Sequence, residues 1–232
     1  VFWHFLYYLR VLLVVLVCCC TQTIAAYIPA NCGEALRNGG RDGIYKIKLN
    51  ERMESFYVYC QADKEGGEAW TIVQRRQDGS IDFYRDWKDY QVGFGNLAGE
   101  FFIGLDKLHA LTQSTLHELW VQLEDLDNSN RYAKYESFAI GDEKQGYALN
   151  VLGTFSGDAG DSLNNGQGMK FTTRDVHNDQ SKDSCAVAYF GAWWYNKCEY
   201  SKDKFAQGVV WQTWRGYYYS LKYVHMAIRP VK

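Results

Sequence analysis

The cysteines of this 232-residue chain fall into two groups, and that division constrains its fold more than any other feature. Cys18, Cys19 and Cys20 sit inside the apolar run "VLLVVLVCCC" (11–20), which follows Arg10 and precedes the small residues Ala25 and Ala26. A basic flank, an apolar stretch and small residues beyond it read as a secretory signal over residues 1–26, cleaved near Ala26. A signal anchor is the alternative, because residues 11–28 approach spanning length, although Thr21, Gln22 and Thr23 interrupt them. Cys32, Cys60, Cys185 and Cys198 remain. An even number in an extracellular chain implies disulfides, with three possible connectivities. Sequential pairing, Cys32–Cys60 and Cys185–Cys198, is the simplest, and each short loop would contribute roughly 3 kcal/mol. No CxxC or HxxxH spacing suggests zinc.

Net charge is −2 with Lys and Arg scattered, which argues against a nucleic-acid surface. Pro29 and Pro230, the only prolines, bracket a stretch without repeats or low-complexity linkers, so one continuous domain is expected. Strand alternation is clear in three places. Phe56, Val58 and Cys60 oppose Tyr57 and Tyr59 in 55–62. Leu119, Val121 and Leu123 oppose Trp120 and Gln122 in 118–126. Val224, Met226 and Ile228 share a face in 220–230. Helical spacing of Phe102, Leu105, Leu108 and Leu111 predicts a helix over 98–112. From about 141 to 220 regular periodicity is lost and Gly and Asp are frequent. A stretch of that length in a compact domain is usually functional or stapled, so a site is expected in this half.

Catalytic signatures are weak. "GDSL" (160–163) would need a strand before the Ser and a catalytic His supplied downstream, but the only D-x-x-H, Asp106 to His109, lies upstream. No G-x-S-x-G occurs, and "GFGNLAG" (93–99) does not match a nucleotide-binding loop. His109 and His117 read as ordinary packing or surface residues. With no nucleophile, base and orienter set, an enzyme is not expected. "DVHNDQSKD" (175–183) offers hard oxygen ligands suited to calcium, but it lacks the Gly and final Glu of an EF-hand. "GAWWYNKC" (191–198) sets large aromatics directly before a cysteine, either as a pocket wall or as core rings beneath a disulfide.

Together, "WTIVQRRQDGSIDFYRDWKDYQVGFGNLAGEFFIGLDKLHALT", "AKYESFAIGDEKQGY", "AGDSL", "GAWWYNKC" and "GYYYSLKYVHMAIRP" resemble the fibrinogen C-terminal domain over residues 31–230. The resemblance implies an α+β fold: a small disulfide-bearing N-terminal part, a central twisted antiparallel sheet with helices, and a loop-rich C-terminal part. It also implies a cis Lys197–Cys198 peptide that turns backbone N–H groups outward toward an acetyl group. By position, Tyr189, Cys198, Glu199, Phe205, Ala206 and Tyr217 would surround that pocket, with Trp193 and Trp194 as structural rings beneath. Its calcium loop would place carboxylate ligands at His177 and Asp179 and carbonyl ligands at Ser181 and Asp183, with Asp175 as a substitute carboxylate.

This chain departs from the family pattern at several of these points. Glu199 replaces the usual His, Phe205 replaces a Tyr, Ala206-Gln207-Gly208 replaces Ala-Asp-Gly, and the usual SNLNG segment is missing. Imidazole at 177 is a poor calcium ligand, so calcium is possible at a degenerate site. The implied function is a secreted, lectin-like recognition protein binding N-acetylated glycans in innate immunity. The alternative is a protein-interaction module, a signalling ligand or adhesion factor engaging an extracellular receptor. An extracellular location is expected, with membrane attachment only if the N-terminal segment is retained. No collagen-like or heptad stalk and no N-x-[ST] sequon occurs.

Overall fold

The computed structural model describes residues 27–198 and 208–231. The predicted signal (1–26) and the site candidates Glu199, Phe205 and Ala206 lie outside these residues.

A short helix, α1 (Cys32–Leu36), opens the N-terminal part, capped by the Asn31 side chain accepting from the Glu34 amide. Strands β1 (Gly43–Ile47), β2 (Phe56–Gln61) and β3 (Trp70–Arg76) follow as an antiparallel meander. Cys32 and Cys60 are joined by a disulfide that fixes α1 on β2. The chain then forms α2 (Trp87–Val92), the two-residue strands β4 (Phe94–Gly95) and β5 (Phe101–Phe102), and α3 (Leu105–Ser114). Strands β6 (His117–Glu124), β7 (Asn130–Ile140), β8 (Leu149–Leu152) and β9 (Phe155–Gly157) follow. Short helices α4 (Cys185–Ala188) and α5 (Gln212–Arg215) precede the last strand, β10 (Tyr223–Pro230).

The sheet runs β1-β2-β3-β10-β6-β7-β8, with β9 also on β7 and β5 bridging β3 and β4. Its centre is β10, which pairs with β3 on one side and β6 on the other. The alternation explains this placement. Leu119, Val121, Leu123, Val224, Met226 and Ile228 are all buried on one face, so the central strands cover the core while Trp120 and Gln122 turn away from it.

One sequence expectation is corrected here. The helix expected over 98–112 begins at Leu105. Phe101 and Phe102 instead extend the sheet, paired with Arg75 and Gln74 of β3. Gly104 separates the two elements at φ +105°, a conformation that costs a side-chain-bearing residue. An added Cβ there would also meet the Val92 and Gly93 backbone within 2.8 Å. Within the aperiodic stretch from 141 to 220, β8 and β9 both pair with β7. At three to four residues each they are too short to show a period.

Candidate functional site

The C-terminal part is built on loops held by polar contacts rather than by long elements. Cys185 opens α4 and is bonded to Cys198, thirteen residues on. The Tyr189 amide donates to the Cys185 carbonyl at 2.9 Å, so Tyr189 sits one helical turn from the disulfide. Its ring meets that of Tyr195 with centroids 5.7 Å apart and planes at 57°. Tyr217, just beyond α5, is half exposed. The described residues therefore tie Tyr189 to Cys198 and present Tyr217 from a separate turn.

The two tryptophans of "GAWWYNKC" have different fates. Thr172 and Trp193 exchange backbone hydrogen bonds at 2.9 and 3.2 Å, which holds this segment extended. Neighbouring side chains then point to opposite sides. Trp194 enters the core at 1% exposure, edge-on to Phe138 and Phe171, and its indole N–H donates to the Tyr147 carbonyl at 2.8 Å. Trp193 is partly buried against it.

At the Cys198 end, the expected cis peptide is corrected. No cis bond occurs among the described residues, so Lys197–Cys198 is trans, the form a non-proline peptide favours by about 3 kcal/mol. The Cys198 N–H donates inward to Ser181 Oγ at 2.8 Å. Cys198 itself is only 6% exposed. The amide assigned to an acetyl carbonyl is thus engaged within the protein.

The loop proposed for calcium is also internally bonded. Asp179 has a fully buried side chain. Its Oδ1 accepts from the Ser181 amide at 3.0 Å and its Oδ2 from the Cys185 amide at 3.1 Å. The second contact caps α4 from outside, since the N-cap residue Ser184 makes no side-chain cap bond. His177 Nε2 lies 3.1 Å from Asp179 Oδ1. Asp179, Cys185 and Cys198 bring potential ligand atoms within 4.8 Å of one another, but the two sulfurs are spent on their disulfide and offer no thiolate. An imidazole and an inward-facing carboxylate do not fit a calcium cage, which requires six to eight oxygens.

Asp175, the substitute carboxylate, is committed elsewhere. Its Oδ1 accepts from Thr173 Oγ1 at 2.7 Å and from the Trp87 amide at 2.8 Å, capping α2 across 88 residues of sequence. Arg174 beside it donates to Asp86 and to the Tyr84 carbonyl, and the Phe190 ring packs on Tyr84 at 5.3 Å. This trio clamps the C-terminal part onto α2. Asp175→Ala is expected to cost about 1 kcal/mol, as for other helix caps, read as a lower urea midpoint, with Asp175→Asn retaining most of the stability.

The "GDSL" turn is structural. Asp161 Oδ1 accepts from Tyr135 Oη at 2.6 Å and from the Leu163 and Asn164 amides, while Ser162 Oγ accepts from the Thr213 amide of α5. A groove of about 490 Å³ lies in the N-terminal part, lined by Ile28, Lys46, Lys48, Met53, Glu54 and Ser55. It borders none of the candidate residues. Among the described residues, no helix is long and apolar enough to cross a membrane.

Sequence reasoning missed Ser181 as the partner of Cys198 and Asp175 as a cap. Their partners lie 17 and 88 residues away, and no local pattern announces either contact.

Comparison with known proteins agrees with this fold. Residues 28–231 match the family described as fibrinogen beta and gamma chains, C-terminal globular domain. The chain is 46% identical over 206 residues to fibrinogen C domain-containing protein 1 of Macaca fascicularis, covering 82% of this chain and 47% of that protein. It is 43% identical over 213 residues to ryncolin-4 of Cerberus rynchops, covering 87% and 61%. It therefore spans about half the length of the first of these relatives and somewhat more of the second. Among solved structures, the fibrinogen-like globe of human ANGPTL6 superposes with a TM-score of 0.81 at 35% identity, covering 89% of this chain and 97% of that one. Lamprey fibrin D-dimer, complexed with the peptide Gly-His-Arg-Pro-amide, gives 0.79 at 30% identity, covering 98% and 84%. The chain belongs to the fibrinogen C-terminal globular domain family.

Proposed function

We propose that this chain is an extracellular, non-enzymatic recognition module whose C-terminal face binds a protein ligand in preference to an N-acetylated glycan. The observation that carries this reading is the inward Cys198 amide, engaged by Ser181 Oγ at 2.8 Å. An acetyl carbonyl needs a donor, and a donor already bonded inside the protein gives little to a ligand. The sequence adds that Glu199 brings an acceptor where the family has an imidazole. A carboxylate there disfavours a carbonyl and favours a cationic group such as a partner's Lys or Arg. The lamprey fibrin relative is complexed with a peptide ligand, which supports a peptide as the class of ligand for a domain of this fold.

Glycan binding is the second reading. It is favoured by the Tyr189–Tyr195 ring pair and the half-exposed Tyr217, which suit a methyl group. Calorimetric titration with N-acetylglucosamine separates the two. No saturable heat is expected at millimolar sugar from the natural chain, nor from Glu199→His, because the Cys198 amide stays engaged in both. Saturable binding by the natural chain would remove the protein-ligand reading and leave the glycan reading in its place.

A further inference from the structure

We infer that His177 takes the place of a metal ion in the 177–185 loop, so that this loop, and the Cys198 edge attached to it, are ordered without a divalent cation. The argument starts from Asp179. A fully buried carboxylate must be compensated by donors or by a positive charge. Two backbone amides, of Ser181 and Cys185, reach one oxygen each. The third contact comes from His177 Nε2, 3.1 Å from Oδ1. Because a carboxylate only accepts, that nitrogen carries the hydrogen and donates it. The imidazole therefore sits against the oxygen that a bound cation would need.

The loop also reaches the candidate site through its own bonds. The Gln180 amide donates to the Asn196 carbonyl at 2.8 Å. Ser181 Oγ accepts from the Cys198 amide at 2.8 Å and lies 3.2 Å from Cys198 Sγ. Asn178 Nδ2 donates to the Phe171 carbonyl at 2.8 Å, anchoring the start of the loop on the core. Order thus passes from His177 through Asp179 to Ser181 and Cys198, whichever ligand the face binds.

The test uses calcium chloride as the probe. For the natural chain, melting temperatures in millimolar calcium and in EDTA are expected to agree within about 2 °C, with no saturable calcium heat. In His177→Ala, the Ser181 and Cys185 amides should exchange hydrogen about fivefold to tenfold faster, the loss expected for one hydrogen bond. His177→Asp should gain a saturable calcium heat and a calcium-dependent rise in melting temperature. A rise clearly above about 2 °C in the natural chain, with a saturable calcium heat, would overturn the inference. So would unchanged exchange in His177→Ala, or no calcium response in His177→Asp. The natural-chain comparison needs no variant, so independence from the cation is tested even if a substitution fails to fold.

Discussion

Trp194→Ala is expected to lower the melting temperature by about 10 °C or more, the largest loss from any single aromatic in the C-terminal part. Truncating a fully buried Trp costs about 3–5 kcal/mol, through lost transfer energy and the cavity left behind. A domain of this size shifts by roughly 2–4 °C per kcal/mol. Trp194 is 1% exposed and touches Phe138, Phe171 and Trp193, so its cavity would open where the sheet meets the C-terminal loops. The Tyr147 carbonyl would lose its indole donor as well. Trp193→Ala should cost less than half as much, since that ring is only partly buried and the segment's pairing with Thr172 is backbone to backbone. Calorimetric melting of both variants checks the contrast. Equal losses would mean that the two rings share one environment, contrary to the extended segment described above.

How much of this was legible in the sequence depends on the range of the contact. Alternation in β6 could be seen because a buried face imposes a period of two, and Leu119, Val121 and Leu123 obey it over eight residues. The start of α3 could not, because Phe102 satisfies the helical spacing while its backbone is claimed by β3. Between 141 and 220 several contacts that hold the loops join residues far apart in sequence. Asp161 holds Tyr135, Ser162 holds Thr213 and Asp175 holds Trp87. Such side-chain contacts leave no periodic trace, and only the resemblance to the family named candidate site residues, where composition signalled no more than that a site was near. The structure departs from the resemblance at the Lys197–Cys198 peptide, which is trans with its amide bonded to Ser181, and His177 bonds internally to Asp179. Glu199, Phe205 and Ala206 carry the clearest departures, and they lie outside the described residues.

Glu100→Ala is expected to destabilise the domain by about 3–5 kcal/mol, the range for removing one member of a buried charged network. Glu100 is 2% exposed and organises the turn after β3. Its Oε1 accepts from the amides of Gln77, Asp78 and Gly79 at 2.6, 3.0 and 3.0 Å, and its Oε2 from Ile81 at 3.0 Å. Arg76 Nε stands 3.9 Å away as the nearest cation. Without the carboxylate these donors lose their acceptor together, and the turn would reorganise to reach water. Glu100→Gln should fall between the two, since an amide offers one accepting oxygen and turns its own N–H groups on the remaining donors. Burial pushes the Glu100 carboxyl up, but the four amides outweigh it and hold the group below its ordinary value of 4.5. A depressed folded value means stability that is present above 4.5 and lost as pH falls through the folded value. The gap between the natural chain and Glu100→Gln in urea midpoint should therefore be full at neutral pH and narrow in acid. A gap that stays constant with pH would show that the carboxylate's charge contributes nothing, leaving only its shape to hold the turn.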